Sequence, residues 1–297
     1  MGDGRGRDYA LLCLLATLWG SSYLFQRIAV PEIPPLTLVA GRVTGGALLL
    51  LAVMAARGVR LPRGRRIWAL LAVQSVLNAS GAWVLLAWGL QFVPSALATV
   101  LNSTSPLWVF VFILLITRAR GASRAHLAGT ITGLAGVVLI VGPAALHGLG
   151  AEVLGQIACV LGTMIYALAT FWGRRFAGVP PLAVASGTMI CAALTLWPLA
   201  FVFEAPLRLS PAPLALGAWA MLALFCTGIA LLIYFHLLTR LGPLGVASQA
   251  YLRQAVGVGL GMLVLGERPD TMVFAGVALA VVGVILVNRP LPPAPRA

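Results

Sequence analysis

The residues able to do chemistry in this chain are few, and they lie inside long apolar runs. Arg253 follows Gln249 by four residues, so both share one face of a helix. Asn78 follows Gln74 at the same spacing, and Ser105 follows Asn102 by three. Thr163, Tyr166 and Thr170 form one helical stripe, and Trp19 precedes Ser21 and Ser22. Such groups bind solutes. A guanidinium fork matches a carboxylate. Trp83 and Tyr166 can stack on an apolar side chain or hold an ammonium by cation–π attraction.

The types needed for catalysis are not clustered. Enzymes gather His, Asp, Glu or Cys in one place, and no such grouping occurs here. Cys13, Cys159, Cys191 and Cys226 each stand alone in an apolar run, without metal-ligand spacing. They read as packing residues. There is no GxxxxGK[ST] sequence, and the chain has no lysine to complete one. No enzyme activity, metal or cofactor is expected.

Of the 297 residues, 61% are hydrophobic and 9% are charged. Soluble domains carry roughly 25% charged residues, so lipid must serve as part of the solvent. Ten runs approach the roughly 20 apolar residues that span a bilayer. They lie near 9–30, 35–56, 67–91, 95–117, 125–142, 152–174, 181–203, 213–238, 244–265 and 271–288. The first continues too far for a removed signal peptide and reads as a retained helix. The Pro-rich tail from Pro290 reads as disordered.

The net charge is +13, and every basic residue is arginine. The two ends and every second gap hold fifteen of the 20 arginines, including Arg57, Arg66, Arg174 and Arg240. The opposite gaps hold only Arg208 and Arg268, with most of the acids. This asymmetry places both termini in the cytoplasm and argues against nucleic-acid binding.

At an offset of 147, Trp19-Gly20 aligns with Tyr166-Ala167, Gly81 with Gly228, and Gly136-Val137 with Gly283-Val284. The chain therefore reads as two five-helix repeats, residues 1–146 and 147–297 in one membrane domain. Five is odd, so the second repeat enters from the opposite face. The fold class expected is an all-α integral membrane protein: ten transmembrane helices as two inverted repeats around a central cavity.

Counting at 1.5 Å per residue puts Trp19, Asn78, Trp83, Asn102, Ser105, Thr163, Tyr166, Gln249 and Arg253 near mid-membrane. These are the candidate substrate-binding residues. Placing Arg253 there costs about 2.5–3.5 kcal/mol, and no acid lies inside any apolar run. Its partner is a carbonyl, a polar side chain, water or the substrate, so it either binds cargo or locks two helices. Arg27 and Arg42 lie closer to the outer interface and can snorkel. His236 reads as a polar helix-end residue. Pro106 should kink its helix. With Gly257, Gly259 and Gly261 it forms the candidate gating set.

The sequence resembles the drug/metabolite transporter superfamily, in its ten-helix EamA type. The resemblance rests on TLWGSSYLFQRIA, Pro35 and Arg42, NSTSPLWVFVF, MIYALATFWGRRFAG, LGERP and AGVALAVVGVILV, in that order over residues 9–288. Spacing through the third, fourth and sixth runs is most similar to the YddG-type amino-acid exporters. Arg253-Gln254 departs from Ser105-Pro106 at the equivalent position. The resemblance implies export, by alternating access, of amino acids, aromatic and other neutral ones favoured, across a bacterial inner membrane. The partners implied are a small-molecule substrate and membrane lipid, and the expected unit is a monomer. A same-fold exporter of drugs or other metabolites stays open, as does a membrane enzyme or scaffold.

Overall fold

The computed structural model describes residues 3–117, 124–146, 150–247, 249–268 and 271–287. Within them the regular structure is helical throughout. The order is α1 (Asp3–Ala29), α2 (Pro35–Ala56), α3 (Arg65–Ser75), a π-helical turn (Val76–Ser80), α4 (Gly81–Gly89), α5 (Ser95–Ser103), α6 (Ser105–Thr117) and α7 (Arg124–Leu146). The second half brings α8 (Ala151–Trp172), α9 (Pro181–Phe203), α10 (Pro213–Ala223), a second π-helical turn (Leu224–Ile229), α11 (Ala230–Ala247), α12 (Gln249–Leu265) and α13 (Thr271–Val287). Prolines start α2, α9 and α10, where a missing N–H costs nothing.

Among the described residues, seven helical stretches are long and apolar enough to cross a membrane. They begin at Gly6, Pro35, Arg65, Ser95, Ala151, Pro181 and Pro213. Shorter apolar helices cover Leu127–Gly136, Leu252–Leu265 and Phe274–Gly283. Large apolar side chains point outward along these stretches; Val202 and Leu263 are 74% and 85% exposed. Such a surface suits acyl chains and not water.

The sequence predicts a kink at Pro106 and otherwise unbroken helices, and three of the runs are interrupted. The 95–117 run breaks at Thr104, whose ψ of 0° ends α5. Pro106 lies just beyond and has no N–H to donate back to Asn102, so the hydrogen-bond ladder breaks there and a new helix starts at Ser105. The other two interruptions are the π-helical turns. They fall at matched places in the two halves, and the aligned pair Gly81 and Gly228 marks them. At Gly81 an added Cβ would come within 2.5 Å of the Val76 carbonyl oxygen. Single π-turns of this kind concentrate at functional sites.

Helix pairing follows the repeat. α2 packs on α9 and α7 on α13, pairs that exchange with themselves. α1 packs on α12, α10 and α11, and its counterpart α8 packs on α5, α6 and α4. Small residues allow these close crossings. A Cβ on Gly20 in α1 would lie 2.7 Å from the Arg253 carbonyl oxygen in α12.

One end of the bundle is tied by carboxylates. Glu204 accepts from the N–H groups of Leu36 (2.9 Å) and Thr37 (2.7 Å) at the start of α2, and from Thr37 Oγ1. Glu267 accepts from the N–H groups of Ser95 (2.6 Å) and Ala96 (2.8 Å) at the start of α5. Glu32 accepts from Ala212 N–H (2.5 Å), just before α10. Each acid satisfies orphan donors and complements a helix dipole. Arg27 adds a contact at this end, donating to the Leu90 and Gln91 carbonyls.

Candidate functional site

A cavity of about 500 Å³ lies inside the bundle, a volume suited to a small metabolite. Its wall draws on both halves. From α1 come Trp19, Ser22, Tyr23 and Gln26, spaced i, i+3, i+4, i+7 on one stripe. From α2 comes Arg42, and from α3 with its π-turn come Gln74 and Asn78. Trp83, Asn102, Tyr166, Thr227, Tyr234 and Arg253 add further polar and aromatic groups to the lining. Leu86, Val184, Met189, Leu231 and Phe235 supply an apolar wall.

Both π-turns face this cavity, the first with Asn78 and the second with Cys226 and Thr227. In each, the widened turn carries lining side chains. The lining continues past Gly173 and Phe176 to the exposed Pro181, so the cavity reaches the surface at the turn between α8 and α9. The opposite end is closed by the carboxylate ties and by Ile33, Leu90 and Val93, all 0% exposed.

Among the expected binding residues, Trp19, Asn78, Trp83, Asn102, Tyr166 and Arg253 line the cavity, and Ser105, Thr163 and Gln249 do not. Ser105 opens α6, beyond the break at Thr104. Thr163 lies behind the wall, where its Oγ1 reaches the Cys159 carbonyl (2.8 Å) and Asn102 Oδ1 (3.2 Å). Asn102 in turn donates to the Tyr23 hydroxyl. One residue of α5 is thereby held from α8 on one side and α1 on the other. Gln249 shares a helix face with Arg253 but sits one turn nearer the start of α12, where its Oε1 is buried without a partner.

Arg253 lines the cavity, and its Nε is buried and unpartnered. Arg42 is the larger departure from expectation. It is 5% exposed and does not reach an interface. Its Nε donates to Thr227 Oγ1 at 2.9 Å, and its guanidinium carbon lies 4.0 Å from the Trp83 ring centroid. Tyr23, Gln26, Thr188 and Tyr234 also line the cavity without having been expected. The α1 stripe was open to view in the spacing of Trp19, Ser22, Tyr23 and Gln26. Thr188 had no such signal.

Within the gating set, Gly257 packs on Thr99: an added Cβ would come within 2.5 Å of it. At Gly261 the same addition would meet Glu267 at 2.5 Å and Ser95 Oγ at 3.0 Å. Gly259 has open space around it. His236 lies near the start of the bundle's other end, 3.6 Å from Asp8, which Arg240 also approaches.

The EamA-like transporter family pattern matches residues 7–142 and again residues 153–289. An uncharacterized inner membrane transporter of Escherichia coli, YedA, is 28% identical over 94% of this chain and 90% of its own length. A probable terminal-alkyne amino-acid exporter of Streptantibioticus cattleyicolor is 26% identical over 94% of this chain and 92% of its own. A solved crystal structure superposes with a TM-score of 0.65 at 23% identity, covering 96% of this chain and 98% of that one. That likeness concerns the fold. With two copies of the family pattern across nearly its whole length, the chain belongs to the EamA-like transporter family.

Proposed function

We propose that this protein is a secondary transporter that exports amino acids, aromatic and other neutral ones first, across a bacterial inner membrane by alternating access. The observation that carries the reading is the cavity of about 500 Å³ with Arg253 in its wall and, among the described lining residues, no carboxylate. A cargo carboxylate pairs with the guanidinium edge that lines the cavity, and Trp19, Trp83 and Tyr166 flank an apolar side chain. The relative named an amino-acid exporter supports the cargo class.

In this reading ten helices cross the membrane, α7, α12 and α13 joining the seven stretches named above. Residues 1–146 and 147–297 form inverted repeats, which the reciprocal helix pairing supports. The arginine-rich gaps put both termini in the cytoplasm. The open end near Pro181 then faces inward and the carboxylate-tied end outward. Binding residues are Trp19, Asn78, Trp83, Asn102, Tyr166 and Arg253. Ser105, Thr163 and Gln249 act from behind the wall. Pro106 and the Gly257 to Gly261 run serve as hinges with the two π-turns. The broad apolar wall of Leu86, Val184, Met189, Leu231 and Phe235 favours one second reading, export of apolar drugs.

The test is reconstitution in liposomes with a labelled amino-acid panel, with and without a pH gradient. The proposal expects saturable flux of at least one aromatic or branched amino acid. Flux of apolar dyes with none of any amino acid would replace it with the second reading.

A further inference from the structure

The cavity wall carries two guanidiniums and, among the described residues that line it, no Asp or Glu. Four acids outside the lining are engaged elsewhere. Asp8 sits with His236 and Arg240, and Glu32, Glu204 and Glu267 cap helix starts at the closed end. Two uncompensated cations in a low-dielectric space are costly, and the occupant that relieves the cost is an anion.

The wall offers an ammonium group only neutral partners, rings such as Tyr166 and side-chain oxygens such as that of Asn78. The Trp83 face that could hold one is already covered by Arg42 at 4.0 Å. Gln26 Oε1 and Gln74 Oε1 lack donors, yet both atoms are closed off from the cavity space. Arg42 is also fixed for its task. The bond from its Nε to Thr227 and its stacking on Trp83 leave the terminal nitrogens as the free edge. A planar fork held in this way is preorganised for an oxyanion.

We infer that the cavity selects net-anionic cargo: a carboxylate with an aromatic or aliphatic remainder, drawn by Arg42 as well as Arg253. Acidic and N-acylated amino acids belong to this class, as do carboxylates with no amine. The neutral amino acids of the proposed function are zwitterions, and the cavity then carries them at lower affinity than these anions. The inference rests on the cavity being the cargo site and narrows the charge of what it takes.

Three probes on one skeleton test it: 3-phenylpropionate, L-phenylalanine and L-phenylalaninamide, as anion, zwitterion and cation. Their affinities are measured by calorimetry on the full chain in lipid nanodiscs. The expected order is anion, zwitterion, cation, with the anion about tenfold tighter than the zwitterion. Arg42→Gln should bring that ratio towards one, and Arg42→Lys should keep part of it. Equal or tighter binding of phenylalanine or its amide overturns the inference while leaving amino-acid export standing. Failure of 3-phenylpropionate to bind overturns it too. Anion binding with no flux of any amino acid keeps the inference and removes the amino-acid cargo. A wild-type ratio retained in a folded Arg42→Gln overturns the assignment to Arg42.

Discussion

Thr163 Oγ1 lies 3.2 Å from Asn102 Oδ1, and this contact sets a cavity side chain from outside the cavity. Asn102 also donates to the Tyr23 hydroxyl, so it bridges helices of both halves. Thr163→Val keeps the shape and deletes the hydroxyl. A neutral hydrogen bond contributes about 1 kcal/mol. The expected result is a roughly fivefold rise in the KM for flux, with unchanged expression. An unchanged KM would mean that Asn102 needs no support from α8.

The carboxylate ties at the closed end predict a shift in accessibility. Each hydrogen bond to a charged group contributes about 1.5–3 kcal/mol. Removing Glu204 and Glu267 therefore favours opening at this end by tenfold or more, by rough conversion. A cysteine placed at buried Val30, in a cysteine-free background, reports the change. Glu204→Ala with Glu267→Ala should speed its modification by an impermeant maleimide added from outside. An unchanged rate would show that the ties do not hold this end shut.

Much of this site was readable from residue type and depth. Trp19, Asn78, Trp83, Asn102, Tyr166 and Arg253 are polar or aromatic residues at mid-run, and all six line the cavity. Thr163 satisfied the same rule, but its side chain faces α5 and not the cavity. Depth fixes position along a helix and leaves rotation about its axis to the neighbouring helices. Arg42 differs for a related reason: its place near the start of the second run points to an interface, whereas the cavity extends to meet it. The roles of Glu204 and Glu267 required the fold, because each caps a helix more than 160 residues away. The π-turns left only the aligned pair Gly81 and Gly228 as a trace.

Two glycines on one helix separate packing from hinging. Gly257→Ala drives a methyl to 2.5 Å from Thr99 and should lower stability by about 1–3 kcal/mol. Gly259→Ala meets nothing within 4 Å and should leave the melting temperature unchanged. A fall in transport rate for Gly259→Ala, at unchanged melting temperature, would report lost backbone freedom. If Gly259→Ala and Pro106→Ala both transport at the wild-type rate, neither position is a hinge.

Arg253 is the residue on which the cargo account turns, because it brings a cation to a cavity wall that has no carboxylate among its described residues. Substrate flux into proteoliposomes, compared for wild type, Arg253→Lys and Arg253→Ala at equal incorporation, tests it most directly. Loss of a charged partner for a carboxylate costs about 2–4 kcal/mol, or a 30-fold or greater fall in kcat/KM by rough conversion. The account predicts that fall for Arg253→Ala and a smaller one for Arg253→Lys. Wild-type kcat/KM in a folded Arg253→Ala would contradict it and leave Arg253 as a lock between helices.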